Sequence, residues 1–170
     1  MPLRPQVGIL VGSDSDLPVV RKAFAVLNEL EIPFEAIIAS AHRTPEKVVD
    51  YVSRAQERGL RVLIAAAGGA AHLAGVAAAH TLLPVIGLPL HGWATDGLDA
   101  LLATVQMPRG VPVATVAIDG AVNAALLAAQ ILALDDPDLR ERLARYRQRQ
   151  RQQVEAADRQ LQEELRGGVR

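Results

Sequence analysis

Five short apolar runs, none of which alternates apolar with polar residues, set the strongest limit on what this chain can fold into. They are Val7–Val11, Phe34–Ile38, Val62–Ala66, Val85–Leu88 and Val113–Ala117. A strand with one wet face alternates; strands this uniformly apolar belong to a sheet covered on both faces, as parallel sheets are. Segments of helical spacing separate them: Leu17 to Leu30, Pro45 to Arg58, a small-residue stretch through Val76 to His80, Leu98 to Gln106 and Asn123 to Leu134. The alternation predicts an α/β fold, a three-layer αβα domain of flavodoxin-like layer order around a five-stranded, mainly parallel sheet.

With 170 residues, 50% of them hydrophobic, the chain can bury one good core. We read one α/β catalytic domain over residues 1–134 and a helical extension over 135–170. In the extension Leu139, Leu143, Tyr146, Val154, Ala157, Leu161 and Leu165 form a narrow stripe on a helix that starts at Pro137 and approaches about 30 residues, about 40 Å in length. Such a helix is longer than the domain needs and is expected to pack on a neighbouring subunit. Its arginines, from Arg140 to Arg151, are interspersed with and followed by acids, which suits a solvated or bridging helix better than a nucleic-acid surface. The net charge of -1 gives no reason to expect nucleic acid or an anionic membrane as partner, so any anion recognition is local. The absence of cysteine excludes disulfides and thiolate chemistry and fits a reducing cytoplasm. Residues Met1 to Pro5 lead into an apolar run too short for a signal peptide or a membrane span.

In open α/β sheets ligands bind outside the carboxyl ends of the strands. The loops expected to carry chemistry are therefore Gly12–Asp16, Ser40–Thr44, Gly68–His72, Pro89–Asp96 and Ile118–Val122. Three of the four histidines, His42, His72 and His91, fall in them; His80 sits toward a helix end. Ser40-Ala41-His42-Arg43-Thr44-Pro45 sets an imidazole beside a fixed cation, chemistry suited to proton transfer next to a phosphate. Thr44-Pro45 equally suits an ordinary helix cap. In the first loop Gly12, Ser13 and Ser15 can cradle an anion while Asp16 accepts from sugar hydroxyls, or Ser and Asp simply cap the next helix. In the third, Gly68-Gly69 can form a flat floor for a planar ring, with His72 at its edge; close packing of small residues is the structural alternative. The histidines lack the close spacing of a zinc motif, so no metal is expected.

Gly12-Ser13-Asp14-Ser15-Asp16, Ser40 to Pro45, Ala67-Gly68-Gly69-Ala70-Ala71-His72-Leu73, Val105-Gln106-Met107-Pro108-Arg109-Gly110 and Asn123-Ala124-Ala125-Leu126-Leu127 follow one another in register. Together they closely resemble the N5-carboxyaminoimidazole ribonucleotide mutase family of purine biosynthesis, over roughly Val7 to Leu134. The resemblance implies an isomerase that moves a carboxyl group from the exocyclic nitrogen to ring carbon C4 of an aminoimidazole ribonucleotide, through CO2 held in the site. It implies no ATP, metal or organic cofactor, and an octamer with exchanged C-terminal helices. By match His42 is the general acid/base, with His72 beside it as the second catalytic residue. Ser15, Ser40 and Arg43 hold the 5′-phosphate, and Gly12, Ser13 and Asp16 the ribose and nearby backbone. Gly69, Ala70, Ala71 and Leu73 bound the imidazole and the CO2 pocket.

Some positions depart from the family pattern. Ala74 stands where Pro is usual and Ala100 where Ser is usual, the loop before Asn123 is shorter, and Trp93 lies in an unusual segment from His91 to Asp96. The shorter loop points toward a close relative that carboxylates aminoimidazole ribonucleotide with free CO2; the Gly68 to Leu73 motif points more strongly to the mutase. A non-catalytic nucleotide- or flavin-binding module shares the layer order, but aromatic residues make up only 3% of the chain, against a flavin stacked between rings.

Overall fold

The computed structural model describes residues 4–92 and 95–167; Trp93 lies outside them. These residues divide into two compact units that part between Leu132 and Ala133.

The first unit runs β1 (Val7–Val11), a 3₁₀ turn (Asp14–Asp16), α1 (Leu17–Glu29), β2 (Phe34–Ile38), α2 (Pro45–Ser53), β3 (Val62–Gly68), α3 (Leu73–Ala79), β4 (Val85–Leu90), α4 (Leu98–Val105), β5 (Ala114–Thr115) and α5 (Ala121–Leu132). The strands pair in parallel in the order β2-β1-β3-β4-β5. This is the flavodoxin-like order, whose reversal between β1 and β3 opens a crevice at the strand ends. The fold class read from the uninterrupted apolar runs is the one observed.

Burial explains why the central runs do not alternate. Every residue of β1 and β4 is buried, and Ile9, Leu10, Leu63, Ile64, Ile86 and Leu88 are almost wholly removed from solvent. Each such side chain contributes about 1.5–3 kcal/mol relative to exposure. Gly8 makes room on one face: a Cβ there would lie 2.8 Å from the Tyr51 hydroxyl and from methyls of Leu60 and Leu63. The Arg58 guanidinium covers the Tyr51 ring at 4.3 Å from its centroid and reaches Glu35 at 3.0 Å, fastening the end of the α2 segment to β2.

Element ends differ from the sequence reading for local reasons. α2 stops at Ser53, because Ala55 and Gly59 donate to the carbonyls of Val52 and Gln56 in tighter turns that end at Gly59, with φ +99°. β3 extends to Gly68, since the small residues Ala67 and Gly68 pair with Pro89 and Leu90 of a longer β4. β5 shrinks to two residues; it is an edge strand with β4 as its sole sheet neighbour. α5 begins at Ala121 and buries Ala121, Ala124, Ala125, Ala128 and Ala129, small side chains that allow it to pack closely on α1.

The second unit is dominated by α6 (Pro137–Gly167), 31 residues long. Asp136 starts it, its carboxylate accepting from the Leu139 amide at 2.9 Å, with Pro137 in the first turn, where a missing N–H is harmless. Val154, Leu161 and Leu165 on this helix are exposed. No helix of the described residues is long and apolar enough to cross a membrane.

Candidate active site

A cavity of about 710 Å³ opens at the carboxyl ends of β1, β2 and β3. Gly12, Ser13, Ser15, Asp16, Ser40, His42, Arg43, Gly69, Ala70 and Leu73 all line it, so most of the residues singled out in the sequence converge on one space. Ala41, Ala67, Gly68 and Asp99 complete the wall. The volume suits a small-molecule ligand.

The loop after β2 is shaped by Ser40 and Thr44. The Ser40 hydroxyl accepts from the backbone amides of His42 and Arg43 at 3.4 and 3.2 Å and from the Arg43 Nε at 3.4 Å. Thr44 stands at the N-cap position of α2, yet its hydroxyl makes no cap bond. It accepts from the Ser40 amide at 2.9 Å and donates to the Ser40 carbonyl at 3.2 Å. The expected cap is thus a loop clasp, and it closes the turn that presents His42 and Arg43. Arg43 also donates from Nη2 to the Gly12 carbonyl at 3.0 Å, tying the loops after β1 and β2 together.

The first loop likewise does not spend its side chains on capping: Ser13 and Asp16 occupy N-cap positions without a side-chain cap bond. The Ser15 hydroxyl lies 3.0 Å from that of Ser13 and 3.4 Å from the Asp16 carboxylate. Burial pushes the Asp16 carboxyl above its ordinary range, opposed by the Ser15 hydroxyl, the Ser13 backbone and the Arg43 charge. Two hydroxyls and a guanidinium on one wall make a site for an oxyanion.

His42 and His72 meet across the rim. The His42 Nε2 lies 2.7 Å from the His72 Nδ1, with the rings edge to face at 82°. One nitrogen donates and the other accepts, so the pair shares a single proton along this contact. His72 itself lies outside the cavity wall and touches it through His42. Ala71, assigned to the wall from the sequence, is 1% exposed and lies beneath it, its amide donating to the Gly69 carbonyl at 2.8 Å. Gly69 turns the chain there with φ +59°.

Two of the five strand-end loops contribute differently from expectation. The Ile118–Val122 loop supplies no wall residue; Asp119 instead ties it to the end of β4, accepting from the His91 amide at 2.9 Å and donating its own to the Pro89 carbonyl at 2.9 Å. His91 is not among the residues that line the cavity. Among the described residues, the wall residue from the β4 side is Asp99, which the sequence reading missed. Its signal was present: a carboxylate two residues after Gly97, in the first turn of the helix following a strand end. Among the described residues no three His, Cys, Asp or Glu side chains gather as a metal site.

The model of the AIR carboxylase family matches residues 6–153, a span that includes the whole cavity wall. The chain belongs to the AIR carboxylase family. A relative from Pyrococcus horikoshii described as N5-carboxyaminoimidazole ribonucleotide mutase is 54% identical, over 94% of this chain and 90% of its own length. The phosphoribosylaminoimidazole carboxylase of Saccharomyces cerevisiae is 51% identical over 89% of this chain, which spans only 27% of that larger protein. Among solved structures, Treponema denticola PurE superposes with a TM-score of 0.84 at 31% identity, covering 93% of this chain and 99% of that one. His42 shares the cavity wall with the serines and Arg43, and His72 adjoins it through His42.

Proposed function

We propose that this chain is an isomerase that converts N5-carboxyaminoimidazole ribonucleotide to 4-carboxy-5-aminoimidazole ribonucleotide in purine biosynthesis. Five relatives of 54–57% identity carry the mutase description. The observation that carries the reading is the His42–His72 contact at a cavity that Ser13, Ser15, Ser40 and Arg43 also line.

Ser15, Ser40 and Arg43 bind the 5′-phosphate, and Ser13 and Asp16 the ribose, with Gly12 leaving space for both. Gly69, Ala70 and Leu73 hold the imidazole and the CO2. When the N5–carboxyl bond breaks, its electron pair returns to N5, which takes a proton from His42. The neutral aminoimidazole then attacks the retained CO2 through C4: the C4=C5 electrons form the new C–C bond while the N5 lone pair makes a C5=N5 iminium. His42 removes the C4 proton, the electrons return to C4=C5, and His42 is protonated as at the start. An imidazole near its working pH suits both transfers, and His72 holds its ring and shared proton between them. Confinement of CO2 raises its effective concentration at C4 to the order of 10⁵ M or more.

The chain works as a homo-oligomer, with an octamer implied by the family resemblance, and α6 reaches a neighbouring copy; its exposed apolar residues support this. A second reading, direct carboxylation by free CO2, is favoured by the yeast relative's description and by the short loop after β5. One experiment separates them: the pure protein, without ATP or metal, is given N5-carboxyaminoimidazole ribonucleotide in one arm and aminoimidazole ribonucleotide with bicarbonate in the other. The mutase reading expects fast turnover in the first arm only. Turnover confined to the second arm would replace it with the carboxylase reading.

A further inference from the structure

We propose that the Asp99 carboxylate accepts a hydrogen bond from N5 of the substrate and stabilises the C5=N5 iminium that forms as C4 takes up CO2. This rests on the mutase reading above and adds a residue that the sequence motifs do not include.

Asp99 is placed by its own helix. Gly97 begins α4 with φ +88°, and a Cβ there would lie 2.7 Å from Ile118, 3.2 Å from the His91 Cα and 3.3 Å from the Leu90 carbonyl. That close approach fixes the first turn of α4 against the end of β4. The Asp99 amide donates to the Thr95 hydroxyl at 3.0 Å, and its Oδ1 accepts from the Ala100 amide at 2.8 Å. Its second carboxylate oxygen has no hydrogen-bond partner among the described residues, and the residue lines the cavity. A negative charge in a first helical turn is favoured by the helix dipole.

The charges on the cavity wall are separated along the sheet. The Arg43 guanidinium reaches the end of β1, 3.0 Å from the Gly12 carbonyl, whereas Asp99 comes from the helix that follows β4, beyond β3 in the sheet. A ribonucleotide with its phosphate at the Arg43 end lays its imidazole toward Gly68, Gly69 and Asp99. There a carboxylate is mismatched to the ground state, which carries its own carboxylate, and matched to an N5 that becomes cationic. Such a difference lowers the barrier instead of merely tightening binding. The proton count of the reaction is unchanged, since Asp99 only accepts a hydrogen bond.

Asp99→Asn keeps the size of the side chain and the oxygen that accepts from Ala100 but removes the charge; Asp99→Ala removes both. We expect kcat on N5-carboxyaminoimidazole ribonucleotide to fall by about 10- to 100-fold in both variants, the worth of a hydrogen bond to a charged group, with KM within about threefold. The thermal midpoint should fall only in Asp99→Ala. If Asp99 served only the helix start, Asp99→Asn would keep wild-type kcat, and that result overturns the proposal. A rise in KM alone, or a folding defect in Asp99→Asn, overturns it too, by assigning the residue to binding or to the helix. Wild-type protein in the same assay separates the readings: if it fails to turn over, the mutase reading falls, whereas an active wild type with an unchanged Asp99→Asn removes Asp99 alone.

Discussion

His42 Nε2 and His72 Nδ1 face each other at 2.7 Å, so neither imidazole can be considered by itself. The contact needs one N–H and one lone pair; it fixes the His42 ring and keeps one proton at the cavity rim. His42→Asn is expected to lower kcat by at least about 100-fold while circular dichroism and thermal midpoint stay close to wild type, because both rings are exposed. His72→Asn should cost less, about tenfold, since it removes the positioning partner and leaves the transferring group. Equal losses in the two variants would show instead that both rings exchange protons with substrate. Single-turnover kinetics on each variant make the comparison.

Gly12 is a glycine that the fold does not require. A Cβ there would meet its nearest protein atoms at 3.5 Å or more, ordinary contact, and its φ lies outside the left-handed range. Space in the cavity is the remaining reason for it. Gly12→Ala should therefore leave the thermal midpoint unchanged or slightly raised, as loss of unfolded-state freedom predicts. KM for the ribonucleotide should rise by about tenfold or more. A large fall in stability would show that the glycine serves the β1 turn; thermal melts alongside initial rates decide it.

The parallel α/β fold and three of the site loops were legible because their signals are local. Short, uniformly apolar runs such as Val7–Val11, bounded by turn residues and separated by helical segments, read as two-sided strands, and the Ser-His-Arg and Gly-Gly-Ala-Ala-His clusters sit where strands end. What stayed hidden depends on distant partners. Nothing near Ala71 in sequence says that it lies under the cavity wall while Gly69 and Ala70 form it. The direction of Thr44 likewise depends on Ser40 folding back, a contact that competes with capping at equal sequence cost. Asp99 was missed because a carboxylate in the first turn of α4 reads as an ordinary helix start, and only the fold brings it to the cavity wall. His91 shows the converse: a histidine in a strand-end loop, it does not line the cavity.

Asp16 is held in a site that suits a ligand better than it suits the folded chain. Burial raises its carboxyl above the ordinary value of 3.8, so the folded state binds this proton more tightly than the unfolded state does. By linkage its contribution to stability falls as pH rises from 3.8 through the raised value, and the full penalty is present above it. Asp16→Asn should therefore raise the thermal midpoint at neutral pH, and the gain should vanish below the ordinary carboxylate range. Substrate binding should weaken in the same variant through loss of the ribose acceptor. Melts from acid to neutral pH test the sign: a lower midpoint at neutral pH would mean that the Ser15 and Arg43 interactions outweigh burial.

The far part of α6 presents apolar side chains that a monomer leaves in water. Val154, Leu161 and Leu165 are 71%, 50% and 57% exposed, and spacings of seven and four put them on one helical face. Charged residues and glutamines make up most of the rest of that segment, so the stripe has the form of a contact surface and not of a core. If a neighbouring copy covers it, substitution of all three by Asp or Glu should reduce the mass measured by light scattering from an oligomer toward smaller species. The α/β unit should keep its far-ultraviolet signal, since its own core ends before Ala133. Activity should fall with assembly if a neighbour's helix helps close the site. An unchanged mass would free α6 from that role, while a smaller species with full turnover would confine each site to a single chain.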